Sequence, residues 1–543
     1  MTAMLTLPLE PTDDRANPHF KDAESCAQWL GQLQLTNLQL AHSLLLTQIN
    51  ELNRYPMRGL ERLSTLELLR ETVSYVQGDY AKKLIAKPLP LNENELMVFA
   101  AIVQLWQALV LGYQRCLQAF IAGDKQLEEH GALLCQRCLL YSGHEIFEHL
   151  RTGYEFDARL WHQLHELYAF AESNNWQAAE VADLLNIKYP YSNCRSIYIK
   201  TLLACHAHPA ELSRSQLQLM DIWLTQWSSA LSIERSYTSS KGDAQPLAID
   251  LSSSHGLQPF KQAAHTGSTR YLAMVPLSKL LRVKTILLQQ GQTPQQAGLC
   301  DHCNSHDCIE LLIFLHQSWC EDTNARFGER HPVAQNAQLC YKPEGIYAHL
   351  SGKLFKQPKQ DSTLGSTARK QIETFGRVLQ DAPGSGTAVT GFPLETWNFD
   401  NESILGARLT RDQIFGERLS RNQLAGLRPS DAETFMLGIT AWTNITRAGQ
   451  LQIGVRYLPG IPEAVSIRAT GINVTVSDKY VPAFLLPAIA ALKIPASLVI
   501  PRDWFQPGRV VEILHQNAEK QNVKMSFSVE HGFDYERVGF TLA

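Results

Sequence analysis

The period of the hydrophobic pattern changes along this 543-residue chain, and that change limits what it can fold into. Over about the first 235 residues apolar side chains recur at helical spacing, in Cys26–Asn53, Leu60–Leu84, Glu93–Phe120 and Leu127–His149. The run ELMVFAAIVQLWQALVLGY within the third segment is almost wholly apolar, as suits a central helix buried on several sides. Asp157–Glu172 and Trp176–Leu185 read as a further helical pair, and Leu212–Trp227 continues the pattern. Glycine and proline are sparse here. An array of antiparallel helix pairs is the simplest architecture, with no strict internal period.

The composition shifts near Ser236. YTSSKGDAQ (Tyr237–Gln245) reads as a linker, Leu247–Leu251 as a strand, and Lys279–Gln290 and Ile309–Trp319 as helices. From about Ala337 the period moves toward two. The expected strands are Gln338–Tyr341, Gly345–Leu350, Thr396–Asp400, Gly406–Leu409, Thr434–Thr443, Gln450–Tyr457, Gly471–Val476, Ala496–Val499, Val510–Leu514, Lys524–Ser528 and Glu536–Leu542. Many short strands with Gly and Pro turns point to a barrel or sandwich. The fold class is therefore α+β and multidomain: a helical array over 1–236, a mixed connecting region over 237–321, an antiparallel β-barrel over 322–462 with an insertion at 353–394, and a β-rich extension over 463–543.

Composition excludes some functions. A net charge of -4 argues against a polybasic nucleic-acid binder, yet leaves room for a small anion held by a few arginines. No stretch reaches the ~18 consecutive apolar residues of a membrane span, and the N-terminus has no signal-peptide pattern. Eleven cysteines, an odd number, fit free thiols in a reducing compartment, so the expected location is cytoplasmic.

Two short motifs stand out in the β-rich part. Arg326-Phe-Gly-Glu-Arg330 is an R-x-x-x-R just before the first strand, and Asn401-Glu-Ser403-Ile-Leu-Gly406 is an N-x-S-x-x-G between strands. Leu437-Gly-Ile-Thr-Ala-Trp442 and Ile453-Gly-Val-Arg-Tyr-Leu458 follow. A guanidinium fork matches the O6/N7 edge of guanine and also binds phosphate bidentately. An Asn can cap its own turn and present its amide, a Ser hydroxyl can donate, and a glycine lets backbone approach a flat base.

In their order, and in the strand pair that follows them, these motifs resemble the PilZ domain, a six-stranded barrel that binds the bacterial messenger cyclic di-GMP. The resemblance covers roughly residues 322–462, and the layout is similar to large PilZ receptors with a helical N-terminal region. It implies a cyclic di-GMP site formed by Arg326, Arg330, Asn401, Ser403 and Gly406. Arg369, Arg377 and Arg408 are secondary candidates. The resemblance also implies a protein partner engaged by the helical region, and control of motility, pili or biofilm formation. Arg330 and Asn401 stand 71 residues apart, more than the few tens usual in PilZ domains, and the 353–394 insertion accounts for the excess. Clamping a dianion at 322–331 would order the junction between helical and β parts.

Other signals are weaker. Arg408, Arg411, Arg418, Arg421 and Arg428 could rim an anion site, though a solvated loop is the simpler reading. Trp397, Trp442 and Tyr457 could stack on a base, though strand aromatics more often fill a core. Cys300, Cys303 and Cys308 could hold zinc, but no second C-x-x-C is near, and reduced cysteines at a turn are preferred. Cys135 and Cys138 read as buried thiols, and His144, Glu145, Glu148 and His149 miss the metalloprotease spacings. Asp250–Gly256 is one residue too long for the second motif. No Walker A loop, nucleophile elbow, cyclase or phosphodiesterase signature occurs, which favours a receptor without catalysis or cofactor. The alternative is a nucleotide-independent helical adaptor with a degenerate barrel.

Overall fold

The computed structural model describes residues 5, 7, 11–237, 244–299, 303–321, 331–358, 391–412, 416–470 and 479–543. It divides into two compact units, Met1–Phe327 with Asn444–Ala448, and Gly328–Thr443 with Gly449–Ala543.

The first unit opens with helices α1 (Ala23–Gln32), α2 (Leu38–Arg54), α3 (Gly59–Tyr80), α4 (Glu93–Ile121), α5 (Gly131–Thr152) and α6 (Arg159–Ser173). Two of them start with reciprocal caps, Asp22 with Ser25 at α1 and Asn92 with Glu95 at α4, which satisfy otherwise orphaned N–H groups. The apolar α4 is the central element, burying Ile102, Leu105, Leu109, Tyr113 and Leu117 against α2, α3 and α5. It is long and apolar enough to cross a membrane, but half of its most apolar stretch is buried among its neighbours, as in a core helix.

Trp176–Leu185 is not helical. After Asn175, which adopts φ +61, the chain forms a hairpin of β1 (Val181–Ala182) and β2 (Tyr191–Ser192). Buried cations hold it: Arg70 donates to Asp183 Oδ1 at 2.6 Å, and Arg137 to the Ala182 carbonyl at 3.0 Å. These long-range bonds override the local helical pattern. Helices α7 (Cys194–His206) and α8 (Arg214–Trp227) follow. A small sheet of β3 (Ile233–Glu234), β4 (Leu247–Asp250), β5 (Gln258–Pro259) and β6 (Thr269–Leu272), in the spatial order β3-β6-β4-β5, comes next, and then the pair α9 (Val275–Gln289) and α10 (Ser305–Cys320).

The second unit holds two closed six-stranded barrels. The first contains β7 (His331–Tyr341), β8 (Glu395–Ser403), β9 (Gly406–Asp412), β10 (Leu424–Pro429), β11 (Met436–Ile445) and β12 (Gln450–Tyr457), in spatial order β10-β11-β12-β9-β8-β7. Helix α11 (Pro343–Ser351) lies between β7 and β8 in sequence, where a strand over Gly345–Leu350 was expected. Pro343 is pre-set for a first helical turn, and Gly345, Ile346 and Ala348 turn inward.

The β-rich extension closes on itself. Strands β13 (Glu463–Thr470), β14 (Val481–Leu486), β15 (Ser497–Pro501), β16 (Val510–Leu514), β17 (Lys520–His531) and β18 (Tyr535–Leu542) form the second barrel, in order β13-β14-β15-β18-β17-β16. Val465, Ile467, Leu498, Ile513 and Val538 fill it. A further cluster joins Ile346 of α11 and Leu424, Leu437 and Ile439 of the first barrel to Phe484, Val499 and Tyr535 of the second, so the two barrels share a core.

Candidate functional site

The N-x-S-x-x-G motif is the β8–β9 hairpin. Ser403 pairs with Gly406, Glu402 with Ala407 and Asn401 with Arg408, leaving Ile404 and Leu405 as a two-residue loop. Ile404 at the tip is 90% exposed. Ser403 Oγ donates to the Gly406 carbonyl at 3.2 Å, so its proton closes the turn and its oxygen remains able to accept. A Cβ on Gly406 would stand 2.1 Å from the Val455 carbonyl oxygen. The close backbone approach that demands glycine is therefore to strand β12.

A β-bulge interrupts the ladder between Phe399 and Asn401. Bulges re-aim side chains, and here Asp400 and Asn401 both reach Arg408. Arg408 Nε lies 3.4 Å from Asp400 Oδ2. The Asn401 amide oxygen, turned toward the guanidinium, accepts from Nε and Nη2 at 3.3 Å each, and its NH2 group is the donor end of the same amide. Asp400 Oδ2 also accepts from Thr410 Oγ1 at 2.6 Å and Gln452 Nε2 at 3.4 Å. The Arg408 side chain is 41% exposed, a cation oriented by neighbours and still open to solvent.

The other end of the motif is braced by β12. The Tyr457 hydroxyl donates to Glu402 Oε1 at 2.7 Å, and its backbone N–H to the Leu405 carbonyl at 2.9 Å. Burial, then the Glu402 carboxylate, push the Tyr457 phenol well above its ordinary range. Trp397 is fully buried with the Arg411 guanidinium 4.8 Å from its ring centroid, and neither is open to a ligand. Arg421 donates to the Ala441 carbonyl, and Arg428 lies over Phe435 and bonds Gln338. Of these arginines Arg411, Arg421 and Arg428 are engaged within the barrel, and Arg408 stands beside the motif. Trp442 is half-buried.

Arg326, Arg330, Arg369 and Arg377 lie outside the described residues. The strand after Arg330 is described. His331 is in register with Glu402, and Pro332 with Asn401. The sequence motifs did not reveal Asp400, Thr410 and Gln452; the bulge brings Asp400 to Arg408, and the β9–β12 register brings Thr410 and Gln452 to Asp400.

Elsewhere, Cys303 and Cys308 are joined in a disulfide, which corrects the reduced pair expected there; Cys300 lies outside the described residues. In this arrangement the two sulfurs are not thiolate ligands. Among the described residues one constellation comes within metal-ligand reach, the exposed His306, Asp307 and Glu310. Cys135 and Cys138 are buried thiols pushed well up by desolvation. Burial brings His144 down to about 4 and Glu145 up to about 7, where Gln107 donates to it at 2.7 Å.

Residues 24–238 match the family model described as the N-terminal domain of the cyclic-di-GMP receptor FimW, and residues 465–543 match the FimW C-terminal β-barrel domain. Together the two cover more than half of the chain. The chain belongs to the FimW family. It is 22% identical over 553 residues to the cyclic-di-GMP receptor FimW of Pseudomonas aeruginosa, spanning 94% of this chain and 90% of that protein. The N-terminal FimW match takes in the helices from α1 to α8, and the C-terminal match is the second barrel. The motif-bearing first barrel lies between the two matched segments.

Proposed function

We propose that the chain is a cyclic di-GMP receptor that holds its ligand on the outer wall of the first barrel, at the β8–β9 turn. The observation that carries this reading is the register of β7 on β8. It brings the chain leaving Arg330 to the residues opposite Glu402 and Asn401. His331, the residue that follows the R-x-x-x-R motif in sequence, is thereby opposite the N-x-S-x-x-G motif, which supports one ligand shared by the two. The FimW relative named as a cyclic-di-GMP receptor supports the same ligand.

The chemistry follows from the side chains. Arg330 and Arg326 supply forks for a phosphate and a guanine edge. Arg408, oriented by Asp400 and Asn401, adds a third cation at the wall. Asn401 offers its NH2 to a phosphate or O6, and Ser403 offers an acceptor to a guanine N–H. No step of covalent chemistry is needed, which fits a cytoplasmic receptor rather than an enzyme. The signal passes to a protein partner through the helical region, with motility, pili or biofilm formation as its output. Supporting a partner, Leu184 and Ile187 on the β1–β2 hairpin are 86% and 93% exposed. Exposed apolar side chains together at a hairpin tip suit an interaction surface.

Calorimetry with cyclic di-GMP tests the site. Wild-type protein should bind, and Asn401→Ala, Arg408→Ala and the Arg326→Ala/Arg330→Ala pair should each weaken binding at least ten-fold. Equal affinity for wild type and all three would remove the ligand from this wall.

A further inference from the structure

We infer that Trp442 is the base-stacking platform of this ligand site, with Arg408 reading the edge of the same guanine; the inference rests on the proposed cyclic di-GMP reading. Three observations lead to it. Asn401, Arg408 and Gly454 face one another across β8, β9 and β12, in a row perpendicular to the strands. Neighbouring strands are ~4.8 Å apart, so the row spans about 10 Å of barrel wall. Ala407, Leu409, Ile453 and Val455 alternate with these residues and are buried, so Arg408 and Gly454 point outward.

The absence of a side chain at Gly454 is used. A Cβ there would stand 2.1 Å from Trp442 Nε1, 2.3 Å from Cε2 and 2.7 Å from Cδ1. The pyrrole half of the indole, reaching over from β11, occupies that space. Any larger residue at 454 would displace it. Directly opposed residues in an antiparallel pair have Cβ positions ~5 Å apart, so the indole sits immediately beside the Arg408 stem. The indole is half-buried rather than enclosed.

An aromatic face next to an outward guanidinium fork is the arrangement that holds a purine: the ring takes the base face, and the fork takes O6 and N7. Asp400 and Asn401 fix the fork. A guanine lying on Trp442 with its edge to Arg408 would direct its sugar-phosphate along the row toward Asn401 and Ser403. The four groups then serve one half of a cyclic dinucleotide.

The test uses the full chain labelled with 5-fluorotryptophan. Of its ten tryptophans, the Trp442 signal is assigned by its loss in Trp442→Phe. On saturation with cyclic di-GMP that fluorine resonance should shift. In calorimetry Trp442→Phe should stay within about three-fold of wild type, while Trp442→Ala should weaken binding roughly ten-fold or more. Wild-type binding with an unmoved Trp442 resonance overturns the platform and leaves the receptor reading standing. Should Trp442→Ala lower the melting temperature, the fluorine shift in wild type decides, because it needs no substitution in the observed protein. Failure of wild type to bind cyclic di-GMP at all overturns the receptor reading, and the platform with it.

Discussion

Pro332 stands opposite Asn401 across the β7–β8 ladder, although the whole 353–394 insertion lies between them in sequence. The chain leaves β7 through α11, makes its excursion, and returns to pair with the strand it left. Loop-closure entropy grows only as the logarithm of loop length, about 0.6 kcal/mol per doubling, so the pairing tolerates the excursion.

Replacing residues 359–390 by a flexible Gly/Ser linker of about twelve residues should therefore leave the barrel and its ligand site intact. The expected outcome is an unchanged melting temperature and cyclic di-GMP affinity within three-fold of wild type. A ten-fold loss of affinity in a protein that melts normally would instead assign a ligand contact to Arg369 or Arg377.

Gly406→Ala tests the reason for the motif's glycine. Its new methyl would sit 2.1 Å from the Val455 carbonyl oxygen, a backbone atom that cannot swing aside. Strand β9 would have to move off β12, at a cost of about 1–3 kcal/mol by the usual penalty for overpacking. Gly78→Ala is the contrast, since nothing lies within 4 Å of a Cβ there, inside α3. It should stabilise by about 0.5–1 kcal/mol. Urea unfolding of both variants decides; equal stability for the two would show that the β9–β12 approach is relaxed.

Part of this architecture is legible in the residues and part is not. Helix positions from α2 to α6 follow the spacing of apolar residues, and β12 and β16 have the expected ends, because in each the period persists over the whole element. The β8–β9 turn was legible from Asn401, Ser403 and Gly406 alone. The segment GIYAHL was not, because six residues fit a strand or a helix equally, and Pro343 decided for the helix. Strands β10 and β14 carry Pro429 and Pro482, which lower the strand signal; β14 pairs through neighbours that keep their N–H groups. The wall around Arg408 depends on a bulge at Asp400, and a bulge has no period. Glu67 and Arg70 are a local pair on α3, but Arg137 joins them from 70 residues away, so no local pattern announces the cluster.

That cluster gives a stability prediction. Glu67 accepts from Arg137 Nε at 2.8 Å and Nη2 at 2.9 Å, from Arg70 Nη1 at 3.0 Å, and from the Tyr113 hydroxyl at 2.7 Å. The two arginine side chains are 1% and 5% exposed. Burial acts to raise the Glu67 carboxyl, yet Arg137, Arg70 and Tyr113 bring it down to about 2. Its contribution is thus present above the unfolded value of about 4.5 and lost as pH falls through about 2. Glu67→Gln leaves buried guanidinium charge uncompensated and should cost about 3–5 kcal/mol at neutral pH, read by urea unfolding. It should also release the β1–β2 hairpin that Arg70 and Arg137 hold, seen as faster amide exchange at Asp183. A loss under 1 kcal/mol would mean that solvent already screens the cluster.

Asp534 reverses the sign. Its Oδ1 accepts from the Leu424 backbone N–H at 2.9 Å, tying the turn before β18 to the start of β10. Burial pushes the carboxyl up to about 6, with Glu344 adding in the same direction and the Leu424 N–H opposing. A carboxyl whose folded pKa is raised binds its proton more tightly in the folded state. Its stabilising contribution is full below the unfolded value near 3.8 and is lost as pH rises through about 6. Above pH 7 the wild type therefore carries a buried charge that Asp534→Asn removes, while the amide oxygen still accepts from Leu424. Each tenfold change in proton affinity is worth about 1.4 kcal/mol, so Asp534→Asn should gain on the order of 3 kcal/mol at pH 7.5 and little at pH 4. Urea unfolding of both proteins at the two pH values measures the difference. A gain independent of pH would assign the effect to packing, and a loss at pH 7.5 would show that the Leu424 bond needs the full charge.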